Sequence, residues 1–191
     1  MAAARRKIYT RSEYLAREVR ARDRHEFLKG EMIMMEGATI DHSQIKSNLI
    51  LRLHDVVRAK GCELFATSLR LGVNEGEYYV YPDVMVICGE IELERGREDV
   101  VTNPKMVIEI WSEATKHYDS TTKFSIYARI PSLQEYVMID QRRVHVECFR
   151  RAPNNQWENE LFENKRDTLR LQSIGEKISL VKIYERVWED R

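Results

Sequence analysis

Two carboxylates stand where the chain is otherwise built for burial. Asp83 lies inside YYVYPDVMVICG, residues 78–89, and Glu109 lies inside KMVIEIW, residues 105–111. Both runs are apolar, β-branched and aromatic, as strands in a sheet interior are. An ionised carboxylate is costly to bury unless it is paired or gives up its charge. One such residue is a local accident, but two invite a common explanation. The chain between them is long enough to bring two strands side by side, and adjacent strands lie roughly 5 Å apart. Carboxylates at matching heights can then share one hard cation. Mg²⁺ suits such a site, because it takes one or two carboxylates, several waters and phosphate oxygens of a substrate. A metal so held lowers the pKa of a bound water and offsets charge on phosphate oxygens, which is the chemistry of phosphodiester hydrolysis. A lysine nearby would hold the phosphate or assist the attacking water. Position 111 is Trp, so the strand supplies none, and Lys123 is the candidate, on the helix face it shares with Tyr127.

The elements that must position these groups follow from periodicity and punctuation. YTRSEY reads as a helix start, with Thr10 as cap, Glu13 closing a capping box and Tyr9 stapling to Tyr14. That helix is expected to fade near Asp23. Residues 26–29 and 32–35 read as a hairpin around Gly30. The clearest helix takes Asp41 as its cap, carries Ile45, Leu49, Leu53 and Val56 on one face, and ends at Gly61. Phe65, Thr67, Leu69, Leu71 and Val73 alternate as one strand, and residues 78–88 form the next. A charged loop leads to Pro104, and residues 105–111 make a further strand. DSTTKFSIYARI reads as a helix with Asp119 near its start. LQEYVMID, RRVHVECFRR and QWENELFE read as strands, and ISLVKIYERV as a last short helix. The pattern is α+β, a mixed sheet flanked by helices, with no repeat or linker, so residues 1–191 are expected to form a single domain.

These residues together resemble the PD-(D/E)XK nuclease superfamily, and more closely its restriction endonuclease branch, the Uma family. The likeness rests on HEFLKGE at 25–31, HSQIKSNL at 42–49, PDVMVI at 82–87, PKMVIEIWSEAT at 104–115, DSTTKFSIY at 119–127 and EYVMID at 135–140. It runs from about residue 9 to about residue 150. Trp111 stands where the superfamily usually has lysine, a substitution common in this branch, with Lys123 as the migrated replacement. Lys29, Glu113 and Val137 depart from the branch pattern and remove no expected ligand. The resemblance implies a restriction-endonuclease-like core and cleavage of DNA that depends on Mg²⁺ or Mn²⁺. It implies that Asp83 and Glu109 bind the metal, that Glu26 is a further metal or water ligand, and that Lys123 contacts the scissile phosphate. It puts His42 at the mouth of the first core helix, and gives Asp119 the task of holding Lys123 or capping its helix.

Bulk properties set the bounds. Lys plus Arg and Asp plus Glu are 31 each in 191 residues, so a globally basic nucleic-acid binder is not indicated. Cys62, Cys88 and Cys148 are scattered and odd in number, which argues for a reducing compartment, the cytoplasm, and against disulfides or a thiolate metal site. The first residues carry no secretory pattern, and no apolar run is long enough to span a membrane. Cutting both DNA strands needs two sites, so a homodimer is expected. Arg142, Arg143, Arg150 and Arg151 bracket one hairpin, where they could grip phosphates or simply face solvent. Met32, Met34 and Met35 read as core or interface filler. Two rival functions stay open: a binding or structural protein that keeps the fold without turnover, and a hydrolase of small phosphate esters.

Overall fold

The computed structural model describes residues 7–66, 68–113 and 115–188. Thr10 caps helix α1 (Arg11–Glu18) through the expected capping box with Glu13. The helix stops five residues before Asp23, because Glu18 turns inward and accepts from the His25 backbone N–H at 2.9 Å. Strands β1 (His25–Leu28) and β2 (Glu31–Met34) form the hairpin, with Lys29 and Gly30 both at positive φ, the signature of a two-residue hairpin turn. Helix α2 (Ile40–Arg58) is capped by Thr39, whose hydroxyl accepts from the His42 N–H at 3.2 Å. The expected cap, Asp41, sits instead in the first turn, where its charge favours the helix dipole.

Two stretches that read as continuous strands are each divided between two sheets. Residues 62–73 split into β3 (Cys62–Phe65) and β4 (Arg70–Val73); Thr67, assigned to that run, lies outside the described residues. Residues 78–88 split into β5 (Tyr78–Val80) and β6 (Val84–Cys88). Pro82 lies at this break, and a proline without an N–H cannot continue a ladder. The chain continues through β7 (Val100–Val101), β8 (Met106–Trp111), a π-helical turn (Tyr118–Lys123) and helix α3 (Phe124–Tyr127). Strands β9 (Glu135–Asp140), β10 (Val146–Arg151) and β11 (Trp157–Phe162) follow, then the hairpin of β12 (Thr168–Leu171) and β13 (Glu176–Ser179), and helix α4 (Leu180–Ile183).

The first sheet has the order β2-β1-β5-β4-β7 and the second β11-β10-β9-β8-β6-β3. In the second, β6 runs antiparallel to β8, and β8 parallel to β9. A parallel pair needs a crossover, and the π-helical turn with α3 supplies it. Every residue of β8 and β9 is buried, as expected where both faces of a sheet are covered. One face packs Val84, Val86, Ile108, Ile110, Val137 and Ile139 against Ile45, Leu49, Leu53 and Val57 of α2. The other packs Met85, Val107, Trp111 and Met138 against Ile126 and Tyr127 of the crossover and Leu71 and Val80 of the first sheet. The fold is α+β, with mixed sheets flanked by helices.

The cysteine expectation is corrected. Cys62 and Cys88 are bonded to each other, because the β3–β6 register sets them directly opposite; Cys148 is the free, buried thiol. The argument from unpaired thiols to a reducing compartment falls with it. Among the described residues no helix is long and apolar enough to cross a membrane.

Candidate active site

The break between β5 and β6 sets the first carboxylate. Val84 pairs with Ile108 in the β6–β8 ladder, so Asp83, one step before it, comes beside Glu109. The Asp83 N–H donates to Glu109 Oε2 at 3.4 Å, and the Ile110 N–H donates to Asp83 Oδ2 at 2.9 Å. From the other side α2 delivers His42, whose Nε2 is 2.9 Å from Asp83 Oδ2, and Lys46, whose Nζ is 3.4 Å from Oδ1. These two residues are one helical turn apart and share a face. Burial pushes the Asp83 pKa up, but the His42 hydrogen bond, the His42 and Lys46 charges and the Ile110 N–H together hold it below the ordinary value.

Glu109 is 3% exposed. Its Oε1 accepts from Lys123 Nζ at 3.0 Å and from the Tyr127 hydroxyl. Burial, with the nearby charges of Asp83 and Asp119, pushes its pKa up to about 8, against the opposing pull of Lys123 and Tyr127. Lys123 is itself buried among three carboxylates, with Nζ at 3.0 Å from Glu109, 3.1 Å from Glu26 and 3.5 Å from Asp119. Burial disfavours its charge, yet Glu109, Glu26 and Asp119 hold its pKa well above the ordinary value, so it is an ammonium. Burial raises Asp119 as well, against the pull of Lys123. Glu26, brought in by β1, also accepts from the Tyr118 hydroxyl at 2.6 Å.

The π-helical turn explains how Tyr118 and Lys123 meet on one carboxylate. The Phe124 N–H bonds the Asp119 carbonyl, five residues back. That pitch stacks residues five apart, which an α-helix would rotate away from each other. The Lys123 ammonium accordingly lies 5.6 Å from the centre of the Tyr118 ring.

The four candidates read from sequence therefore divide. Asp83 and Glu109 are neighbours, Lys123 lies on Glu109, and Glu26 reaches the group through Lys123 and Tyr118. Asp119 also faces Lys123. Sequence reasoning missed Lys46 and Tyr118, and it placed His42 at the mouth of its helix without giving it a partner. The signal for the α2 pair was its i, i+4 spacing, which also fits a solvated helix face. All of these except Tyr127 line one cavity of about 480 Å³, walled on another side by Ile33, Met34 and Met35. Of the four arginines, Arg150 is engaged by Glu135 and Glu160, and Arg151 by the carbonyls of Ala128, Ile130 and Leu133; Arg142 and Arg143 stay exposed.

The donor chemistry fits a hard divalent cation at Asp83 and Glu109: two oxygen ligands on an open cavity leave positions for water and phosphate. Among the described residues no three His, Cys, Asp or Glu side chains converge as a closed metal cage. Glu26, in particular, is turned to Lys123 and Tyr118.

This architecture is that of a restriction-endonuclease-like nuclease fold. It is similar over 92% of this chain and 97% of the other to a solved structure from Anabaena variabilis described as "a putative nuclease belonging to DUF820", with a TM-score of 0.73 at 21% identity. The family described as "Uma2: Putative restriction endonuclease" matches residues 11–181, and the chain belongs to that family. It is also similar to two proteins of Synechocystis, both described as uncharacterized. Sll1609 is 38% identical over 82% of this chain and 89% of its own length, and slr1290 is 30% identical over 90% and 89%.

Proposed function

We propose that this protein is a divalent-metal-dependent endonuclease that hydrolyses DNA phosphodiester bonds. One observation carries the reading: a buried ammonium, Lys123, lies 3.0 Å from Glu109, and Glu109 is itself the neighbour of Asp83 on one cavity. In this reading Asp83 and Glu109 hold Mg²⁺ or Mn²⁺, with Glu26 completing the polar shell through Lys123. The bound cation supplies a Lewis acid and a water of lowered pKa. The chain's own groups do the rest. Lys123, locked by Glu26 and Asp119, presents fixed positive charge where negative charge builds on the non-bridging oxygens. Preorganised charge of that kind acts most strongly in the transition state. Tyr127 orients Glu109, while His42 and Lys46 orient Asp83 and keep it ionised. We further propose a single domain that works as a homodimer in the cytoplasm.

Supercoiled plasmid tests the reading. With Mg²⁺ or Mn²⁺ the protein should produce nicked and linear forms, and with chelator or as Asp83→Asn it should not. Salt-sensitive retention of DNA without any product would instead select the binding protein. Turnover of a model phosphate ester with plasmid left intact would select the small-ester hydrolase.

A further inference from the structure

We infer, resting on the nuclease reading, that the substrate strand enters this site unpaired, and that Ile33 and Met34 of β2 form the surface on which its nucleobase lies. The first ground is depth. Glu26, Glu109, Asp119 and Lys123 are each 6% exposed or less. A phosphodiester that meets them must come down into the cavity. A duplex carries its backbone on the outside of two joined strands, and the second strand would meet the cavity wall first. A cavity of about 480 Å³ is of the size that encloses a single small ligand.

The second ground is the composition of the walls. On the α2 side His42 and Lys46 offer cationic and polar groups suited to phosphate. On the β2 side Ile33, Met34 and Met35 follow one another. Ile33 is 37% and Met34 61% exposed, and β2 is the last strand of its sheet. The register joins Ile33 to the chemistry, because it is the direct partner of Glu26 in the β1–β2 ladder; Met34, which ends the strand, meets the cavity at its rim. Directly opposed residues project on the same face with Cβ atoms about 5 Å apart. A phosphate held at Lys123 therefore has an apolar surface beside it, at the position of an attached base. Methionine is flexible and polarizable and packs well on aromatic rings. Such a surface accepts any base, as platforms for single strands do.

The test uses one labelled oligonucleotide in three forms: single-stranded, fully paired, and paired with a central mismatched bubble, each with Mn²⁺. The single strand and the bubble should be cut about tenfold faster than the duplex or more, with cuts inside the bubble. Ile33→Ala/Met34→Ala should raise KM on the single strand about tenfold, the scale of losing one good apolar contact, with little change in kcat. Met34→Leu should restore it. In the Glu109→Gln background, 2-aminopurine in the strand should change brightness on binding, and the double alanine variant should lose that change. Equal cutting of strand and duplex, or an unchanged KM in the alanine variant, would overturn the inference. So would a homodimer that the alanine substitutions dissociate, since the rim would then be covered by a second copy. If no form is cut, the nuclease reading fails, and the fluorescence arm decides alone. A strand preference lost in the variant supports the rim, and equal binding of strand and duplex ends it.

Discussion

Glu109 and Glu135 are both buried glutamates on neighbouring parallel strands, three residues apart in register, and they have opposite fates. Glu135 is fully buried, and the chain itself fills its oxygens. They accept from the Gln172 and Ser173 N–H groups at 2.9 and 3.0 Å, from the Ser173 hydroxyl at 2.6 Å and from Arg150 Nε at 3.0 Å. It fastens the segment after β12 to the sheet. Glu109 has one oxygen on Lys123 and Tyr127, the other beside Asp83, and a cavity in front. A buried carboxylate is therefore not a sign of chemistry by itself. What separates the two is whether backbone donors close the shell or leave it open to something from outside.

That contrast is sharpest in cleavage. Glu109→Gln should lower plasmid cleavage by about 10³-fold while far-ultraviolet circular dichroism stays native; Glu135→Gln should keep cleavage near the parental rate. Equal activity of the two variants would erase the distinction. Lys123→Ala should cost about 10²-fold in turnover, the loss of one electrostatic stabiliser, and Lys123→Arg should recover only part, since a planar guanidinium is longer and differently shaped. Because the alanine variant leaves carboxylates uncompensated, its folding should be checked by thermal melting before rates are compared.

Stability should show the reverse order. Glu135→Ala leaves Arg150 Nε and two backbone N–H groups without their acceptor and should destabilise by about 3–5 kcal/mol, read as a lower urea midpoint.

The Glu109 pKa gives a pH signature. Its folded value, about 8, lies above the ordinary 4.5, so the folded state binds the extra proton between them. The associated stability is full below about pH 4.5 and is lost as pH rises through about 8. With metal chelated, the Tm of the parental protein should fall across this window relative to Glu109→Gln, by several degrees. A constant difference would mean that Glu109 is not held protonated. The smallest effect should be that of Ser173→Ala, about 1 kcal/mol from one lost hydrogen bond, with cleavage untouched.

Asp83 and Glu109 were legible because a charge inside an apolar strand breaks a one-dimensional pattern. Glu135 was not, since it stands at a strand end after Gln134, where polar residues are ordinary. His42 and Lys46 looked like the solvated side of a helix, and only the arrival of α2 over Asp83 gives them a partner. The Cys62–Cys88 bond was hidden for a related reason: its members are 26 residues apart, and only the β3–β6 register brings them opposite. Pro82 was read only as part of the PDVMVI motif inside one strand, and not as the point where the chain changes sheets. The hairpin of β12 and β13 went unread because its strands are short and mixed in composition.

The π-helical turn has a consequence for how this chain can vary. A helix interior normally tolerates substitution more easily than a change in length, since each residue advances the face by about 100°. Residues 118–123 run at a wider pitch, so deleting any one of them would let the segment relax to an ordinary helix. Five residues of ordinary helix turn the chain about as far as six at the wider pitch. Tyr127 would therefore keep Glu109, and Phe124 its stack on Tyr136 and Phe149. Losing one of the exposed residues Thr121 or Thr122 would thus spare the centre, whereas a codon missing from α3 would turn everything after it by about 100° and break it.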